Sequence, residues 1–270
     1  MKTVKTLLAC AALLALTLNL RAQSDQQPLF FIVDYMKSTP GKSADYVKNE
    51  REIWKKVHQE RKKRGLIESW YMYSVWYAGT QSEYDYVTVT VVRGFDKLEN
   101  PYSDLFTGGM EKLLTKEQYA AGMGVEALRN LLRTEVFAGE DFVTNNPAGA
   151  APAKYLRVNY MDVPAGGWDR YIHMETKLVK PLHVEMMKGG GRAGWGLYSL
   201  GMPSGDAMPY DAVSIDFYNK WSDMTGGTAD FRKTLEKAHP GMSEQYLTDE
   251  INASRSLVRA ELWEVIDYVQ

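Results

Sequence analysis

A glutamate and a histidine occur twice in this sequence at a spacing that could support acid–base chemistry. Glu50 and His58 lie eight residues apart, and Glu175 and His183 repeat the pair 125 residues later. Histidine titrates near neutral pH and is a common metal ligand, and a nearby carboxylate tunes it. Either histidine could therefore act as a general base, a metal ligand or an axial haem ligand, with Glu50 or Glu175 adjusting its pKa.

A structural role for the same residues stays open. Tyr46, Glu50, Trp54 and His58 recur every four residues, so they lie on one stripe of a helix whose neighbouring positions are apolar. A glutamate or histidine at the edge of an apolar face needs a hydrogen-bond partner, because burying it unpaired costs several kcal/mol. Backbone groups or tyrosine hydroxyls where the helix meets a sheet could supply that partner.

The sequence gives little indication of a metal site or a dinucleotide site. The sequence contains no His-Glu-x-x-His motif, no cysteine pair and no Asp-x-Asp loop, so no metal site is predicted. Residues 189–194 match G-x-G-x-x-G, but this segment follows a predicted helix and precedes a strand. That order is the reverse of a dinucleotide site, and we interpret the segment as a flexible loop.

Aromatic residues that recur in the two halves are candidate ligand-binding residues. On a strand, residues three apart face opposite sides, so Trp70 and Tyr73 cannot both face a barrel interior. The full candidate set is Tyr46, Trp70, Tyr73, Tyr84, Tyr86, Tyr171, Trp195, Tyr198 and Tyr210.

The strand predicted over Tyr84–Val92 alternates between two kinds of face. One face carries valines at positions 87, 89 and 91, and it is predicted to pack under the helices. The other carries tyrosine at 84 and 86 and threonine at 88 and 90. Because this second face is too polar for an ordinary core, it is predicted to line a partly wet barrel interior or cleft.

These residues belong to an internal duplication that covers most of the chain. Without a gap, 14 of the 45 positions of Val33–Tyr77 are identical to their counterparts 125 residues later, and after one insertion the spacing becomes 126. Within each copy, the patterns predict the order βαββαβ. The closing strands are predicted over Thr134–Phe142 and Ala260–Val269.

The predicted architecture is α+β, with two tandem ferredoxin-like βαββαβ units in one chain. Unit 1 spans residues 28–143, a linker rich in Pro, Gly and Ala spans 144–153, and unit 2 spans 154–270. One such unit covers only one face of its sheet, so a second unit is needed to cover the other.

In this element order and repeat, the sequence resembles the dimeric α/β-barrel superfamily. Its members include antibiotic-biosynthesis-type monooxygenases, EthD-like proteins and NIPSNAP-like proteins. The resemblance implies that the two sheets come together as an intramolecular barrel. It also implies an oxygenase or haem-handling activity as one candidate function.

The N-terminus is typical of an exported protein. Residues 1–22 have basic residues, an apolar run from Leu7 to Leu18, and Ala22 at the expected cleavage site, which predicts a secretory signal peptide. The predicted location is periplasmic or secreted, and lipidation at Cys10 is an alternative. The formal net charge of −2 predicts no nucleic-acid partner, and no later segment is predicted to span a membrane.

Three functional hypotheses follow. The first is an exported protein that binds a small apolar or aromatic molecule in a cleft between the sheet and the repeated helix. The second is an oxygenase, either cofactor-poor or haem-dependent, or a haem-handling protein. The third is a scaffold without a ligand, and association into a higher oligomer is open in each case.

Overall fold

The structure is a computed structural model, and it describes residues 27–99, 101–102, 109, 112–147, 149–226 and 230–270. The predicted signal peptide and Cys10 lie outside the described residues, so neither prediction is tested. Among the described helices, none is long and apolar enough to cross a membrane.

Eight antiparallel strands form a closed barrel, in the order β1-β3-β2-β8-β5-β7-β6-β4. Their bounds are Leu29–Ser38 (β1), Ser69–Val75 (β2), Tyr86–Arg93 (β3), Arg129–Thr144 (β4), Tyr155–Asp162 (β5), Gly194–Met202 (β6), Ala212–Tyr218 (β7) and Ser256–Val269 (β8).

The barrel consists of two sheets with the same internal order. The first half is β4-β1-β3-β2 and the second is β8-β5-β7-β6, which is the strand order of a ferredoxin-like unit. The halves join where β2 pairs with β8 and β4 pairs with β6. The predicted fold of two βαββαβ units that form one barrel is therefore confirmed.

Helices cover the outside of each sheet. Their bounds are Ser43–Asn49 (α1), Lys55–Lys63 (α2), Lys116–Met123 (α3), Trp168–His173 (α4), Lys180–Lys188 (α5), Asp223–Gly226 (α6), Phe231–Ala238 (α7) and Glu244–Ser254 (α8). A π-helical segment, Glu50–Trp54, joins α1 to α2, and Met174–Val179 joins α4 to α5 in the same way.

Equivalent glycines follow the two long helices, which are the continuous helical segments from α1 to α2 and from α4 to α5. After α2, Gly65 has a φ of 70°, and after α5, Gly190 has a φ of 76°. This left-handed backbone region is accessible to glycine at little cost, and a residue in it commonly terminates a helix. The chain then turns back towards β2 or β6, so each helix lies on its own sheet.

The predicted orientation of β3 is wrong. Val87, Val89 and Val91 face the barrel interior, where they pack with residues of both units. Thr88 and Thr90 face the helices and are buried there. Sequence alternation distinguishes the two faces of a strand, but it does not say which one turns inward. The polar face is tolerated beneath the helices because its side chains find hydrogen-bond partners.

The closing strands are longer than predicted. The predicted starts were Thr134 and Ala260, whereas β4 begins at Arg129 and β8 at Ser256. These extensions place Arg129 and its counterpart Arg255, which directly precedes β8, under the long helices. Residues 145–154 connect β4 to β5.

Candidate functional site

A cavity of about 780 Å³ lies inside the barrel. Its walls come from both units and are mainly aliphatic and aromatic. Typical wall residues are Phe31, Tyr71, Val89, Tyr198, Ile215 and Phe217. They converge because successive side chains of a strand alternate between its two faces, and every second residue points into the barrel.

The cavity opens at the end of the barrel where the linker crosses from β4 to β5. Linker residues 146–147 and 149–153 form part of the rim. Charged rim residues are Glu68, Arg93, Glu140 and Asp141. A ligand entering at this end would therefore pass a polar rim before reaching an apolar interior.

A network of tyrosine, glutamate and arginine side chains closes the other end. Glu135 is only 1% exposed. It accepts hydrogen bonds from the Tyr35 hydroxyl at 2.8 Å, the Tyr210 hydroxyl at 2.6 Å and Arg133 Nε at 3.0 Å. The Arg133 guanidinium also lies 4.0 Å from the centre of the Tyr35 ring. The buried Glu135 carboxyl group thus has three donors, one of which is the guanidinium of Arg133.

The second unit repeats this arrangement. Glu261 accepts hydrogen bonds from the Tyr84 hydroxyl at 2.6 Å, the Tyr160 hydroxyl at 3.4 Å and Trp263 Nε1 at 2.9 Å. Arg259 donates to the Tyr84 hydroxyl at 3.0 Å. Each unit thus contributes one tyrosine to the other unit's glutamate: Tyr84 of unit 1 donates to Glu261, and Tyr210 of unit 2 donates to Glu135.

The two candidate histidines lie outside the barrel, between helix and sheet. His58 stacks on Trp70 with ring centres 4.7 Å apart, and His183 stacks on Trp195 at 5.2 Å. Burial lowers the pKa of both histidines well below its usual value, and the adjacent Arg61 or Arg192 lowers it further. Both imidazoles are therefore neutral at pH 7.

An arginine faces Nδ1 of each histidine, but it comes from different positions in the two units. Arg61 Nη1 lies 3.4 Å from Nδ1 of His58, and both residues belong to the same helix. Arg192, which contacts His183 Nδ1, follows α5 and also donates to Asp216 at 2.7 Å and to Tyr218 at 3.1 Å.

The candidate glutamates lie in the π-helical segments, buried beneath the helices. Burial raises the pKa of Glu50 to about 7, and the nearby Arg129 opposes this rise. Burial also raises the pKa of Glu175, which accepts a hydrogen bond from Arg255 Nε at 3.1 Å. A π-helical turn shifts the helix register by one residue, so it brings the following side chains onto a different face.

The structure therefore separates the candidate residues into three places. Tyr73 and Tyr198 line the barrel cavity. Tyr84 and Tyr210 belong to the closing network. The others lie on the helix side of the sheets: Tyr46, Glu50, His58, Trp70, Tyr86, Tyr171, Glu175, His183 and Trp195, of which Trp195 also borders the cavity. Among the described residues these sets lie on different sides of the sheets, so no single cleft joins them, contrary to the prediction.

Residues of the closing network could have been found from the repeat. Tyr35 and Tyr160 are 125 residues apart, and Glu135 and Glu261 are 126 apart, in register with the duplication. Neither pair was among the candidate site residues. The identities alone do not reveal that the tyrosines and glutamates meet, because that requires the pairing of strands within the closed barrel.

Comparison with solved structures supports the architecture. A candidate monooxygenase from Lactobacillus acidophilus matches with a TM-score of 0.50 at 12% identity, covering 91% of this chain and 97% of that chain. An anthrone oxidase-like protein matches with a TM-score of 0.51 at 11% identity, covering 91% and 94%. A haem-binding protein from Thermus thermophilus matches with a TM-score of 0.50 at 11% identity, covering 89% and 92%.

The chain has the fold of the dimeric α/β-barrel superfamily. At these identities the likeness concerns the fold alone. No protein-family profile matches the sequence, and no curated protein sequence matches it.

A haem does not fit this α/β barrel at the predicted histidines. His58 is 6% exposed and His183 is 9% exposed, and each imidazole is enclosed between a tryptophan and an arginine. The four histidines of the chain are all described, and none lines the barrel cavity. Within the described residues, no cluster of histidine, cysteine, aspartate or glutamate could hold a metal ion.

Proposed function

We propose that the protein binds a small, predominantly apolar molecule inside the barrel. The observation that carries this proposal is the cavity of about 780 Å³, open at one end and closed at the other by the network around Glu135 and Glu261. Binding sites for small molecules commonly have this volume and an apolar lining with a few polar groups.

The wall chemistry favours aromatic or other flat apolar ligands. Phe31 and Tyr198 pack edge to face with ring centres 4.8 Å apart, and Tyr73 and Trp263 lie 5.6 Å apart. Aromatic rings stabilise such contacts beyond the effect of surface burial alone. Removing apolar ligand surface from water contributes about 25 cal/mol per Å² before the costs of association.

An oxygenase that acts on a ligand in this cavity is a second candidate. The monooxygenase and oxidase-like proteins with the same fold support it. Oxygen consumption by the purified protein, with and without an aromatic ligand, would test this candidate. Oxygen consumption that depends on the ligand, and that a bulky substitution in the cavity wall abolishes, would favour an enzyme over a binding protein.

Export from the cytoplasm is part of the proposal. It is supported by the basic and apolar pattern of residues 1–22, which predicts cleavage after Ala22. Cell fractionation followed by determination of the mature N-terminus would test it, and a protein that keeps Met1 and stays in the cytoplasm would contradict it.

Titration with an apolar fluorescent probe tests the proposed binding. Val91→Trp fills the cavity from one wall, and we expect it to weaken probe binding at least about tenfold, since a bulky side chain would occupy the ligand's volume. Val258→Trp is the matched control because Val258 is 43% exposed on β8. Equal probe affinity in both folded variants would contradict binding in the barrel.

A further inference from the structure

The hydroxyls of Tyr73 and Tyr198 are polar groups of the cavity wall that have no hydrogen-bond partner among the described residues. The two residues occupy equivalent positions of the repeat, on β2 and β6, and both line the cavity. Neither hydroxyl makes a hydrogen bond within the described part of the chain. By contrast, the Tyr71 hydroxyl donates to Gln270 Oε1 at 3.1 Å.

The tyrosines of the closing network differ from this pair. Tyr35 and Tyr210 donate to Glu135, and Tyr84 and Tyr160 donate to Glu261. Their protons are therefore committed to carboxylates, whereas the protons of Tyr73 and Tyr198 remain available. Both residues line the cavity, so an acceptor group on a ligand can take the place of water at these hydroxyls.

The two free hydroxyls act as donors. Burial raises the pKa of Tyr73 and of Tyr198, and neighbouring phenols, Tyr71 above all, raise it further. Both phenols consequently stay protonated across the physiological pH range. Each hydroxyl therefore offers an O–H proton to an acceptor group on a ligand.

The cavity disfavours a charged ligand. Its charged residues, Glu68, Arg93, Glu140 and Asp141, lie at the rim near the strand ends, and three of these four are acidic. A carboxylate in the apolar interior would lose its hydration without gaining a cationic partner.

We propose that Tyr73 and Tyr198 select a neutral apolar ligand that carries a carbonyl or similar acceptor group, which one or both hydroxyls bind. This inference rests on the proposed binding of a ligand in the barrel, and it adds the ligand's polar chemistry. Gly196 supports the arrangement. A Cβ at this position would lie 2.5 Å from the Tyr198 hydroxyl oxygen, so the glycine leaves room for the phenol.

Three compounds of similar shape test the proposal: 2-acetylnaphthalene, 2-ethylnaphthalene and 2-naphthoate. We expect the purified protein to bind the ketone about threefold to tenfold more tightly than the hydrocarbon, as one hydrogen bond would provide. The carboxylate should bind most weakly. Tyr73→Phe, Tyr198→Phe or both should reduce the preference for the ketone and leave the affinity for 2-ethylnaphthalene unchanged.

Tyr155→Phe provides the matched control, since Tyr155 packs against Trp76 and Trp221 outside the cavity. An unchanged preference for the ketone in the folded double variant would overturn the role of the two tyrosines while leaving binding in the barrel intact. Tightest binding of 2-naphthoate would overturn the neutral ligand. Failure of all three compounds to bind would contradict the proposed function itself.

Discussion

The hydroxyl oxygens of Tyr35 and Tyr160 lie 3.5 Å apart at the closed end of the barrel, although the residues are 125 positions apart in the chain. Each occupies the same position of its repeat, so the two halves meet here around a pseudo-twofold axis. Tyr35 bonds Glu135 and Tyr160 bonds Glu261, and the contact between the tyrosines joins the two halves of the network.

Glu135→Ala should destabilise the protein strongly. The change leaves Arg133 and the hydroxyls of Tyr35 and Tyr210 without their acceptor, and breaking a buried charged network typically costs about 3–5 kcal/mol. Glu261→Ala should cost less, because the Glu261 side chain is 15% exposed and that of Glu135 is 1% exposed. Urea unfolding measures both values, and the reverse order would contradict the prediction.

The raised pKa of Glu50 predicts a specific pH dependence. Burial raises the pKa of Glu50 from its ordinary value of 4.5 to about 7 in the folded protein. Between pH 4.5 and 7 the Glu50 carboxyl group holds a proton in the folded state that it has lost in the unfolded chain. The free energy of unfolding should therefore fall as pH rises from about 4.5 to above 7. The full effect is roughly 3 kcal/mol at a shift of this size.

Glu50→Gln should remove this component of the pH profile. The measurement is the free energy of unfolding of both proteins at pH 5 and pH 8. Their difference isolates Glu50 from the other titrating groups. If the free energy of unfolding changed by the same amount between pH 5 and pH 8 in both proteins, Glu50 would ionise as readily in the folded state as in the unfolded chain.

His58 and His183 should remain neutral well below pH 6.5. Because their folded pKa values are lowered, the unfolded state takes up protons first, and their contribution to stability is lost as pH falls below about 6.5. Nuclear magnetic resonance of the imidazole groups should show no protonation of either residue near pH 6. Titration of either ring near 6.5 would contradict its burial.

Haem should not acquire a ligand from these histidines. His58 and His183 are enclosed by Trp70 or Trp195 and by an arginine. We therefore expect the visible spectrum during haem titration to be the same for the parent protein and for His58→Ala and His183→Ala variants. A haem absorption band that disappears in one variant would instead identify a ligand and restore the haem hypothesis.

Gly196→Ala should disturb the cavity through Tyr198. The new Cβ would lie 2.5 Å from the phenol oxygen and 2.9 Å from two ring carbons, so the ring must move, at a cost of about 1–3 kcal/mol. We expect ketone preference to fall as in Tyr198→Phe. Gly189→Ala is the control, because its Cβ would meet its nearest neighbour at 3.5 Å.

The duplication was enough to predict the two units and the barrel. Equivalent residues at a spacing of 125 imply equivalent elements, and the order βαββαβ leaves one sheet face that another unit must cover. The bounds of the closing strands were less accurate, because the polar starts of β4 and β8 do not follow a clear alternating pattern.

The sequence did not reveal that the polar faces of the strands turn towards the helices and not towards the barrel interior. Asp34 is buried under a helix because Tyr102 and Thr134 donate hydrogen bonds to it, each at 2.6 Å. Asp216 is satisfied by Arg192 in the same way. Tyr102 and Arg192 lie on connections between regular elements and do not occur at equivalent repeat positions. Nothing in the local pattern indicates that they return to these strands.

The two halves of the cavity wall are related by the pseudo-twofold axis, but their side chains differ. Phe31 corresponds to Leu156, Val89 to Ile215 and Phe137 to Trp263. In a barrel built from identical chains, a molecule on the axis could be turned by half a revolution without changing its contacts. Here the two orientations have unequal contacts, so a ligand without symmetry of its own should adopt a single binding pose.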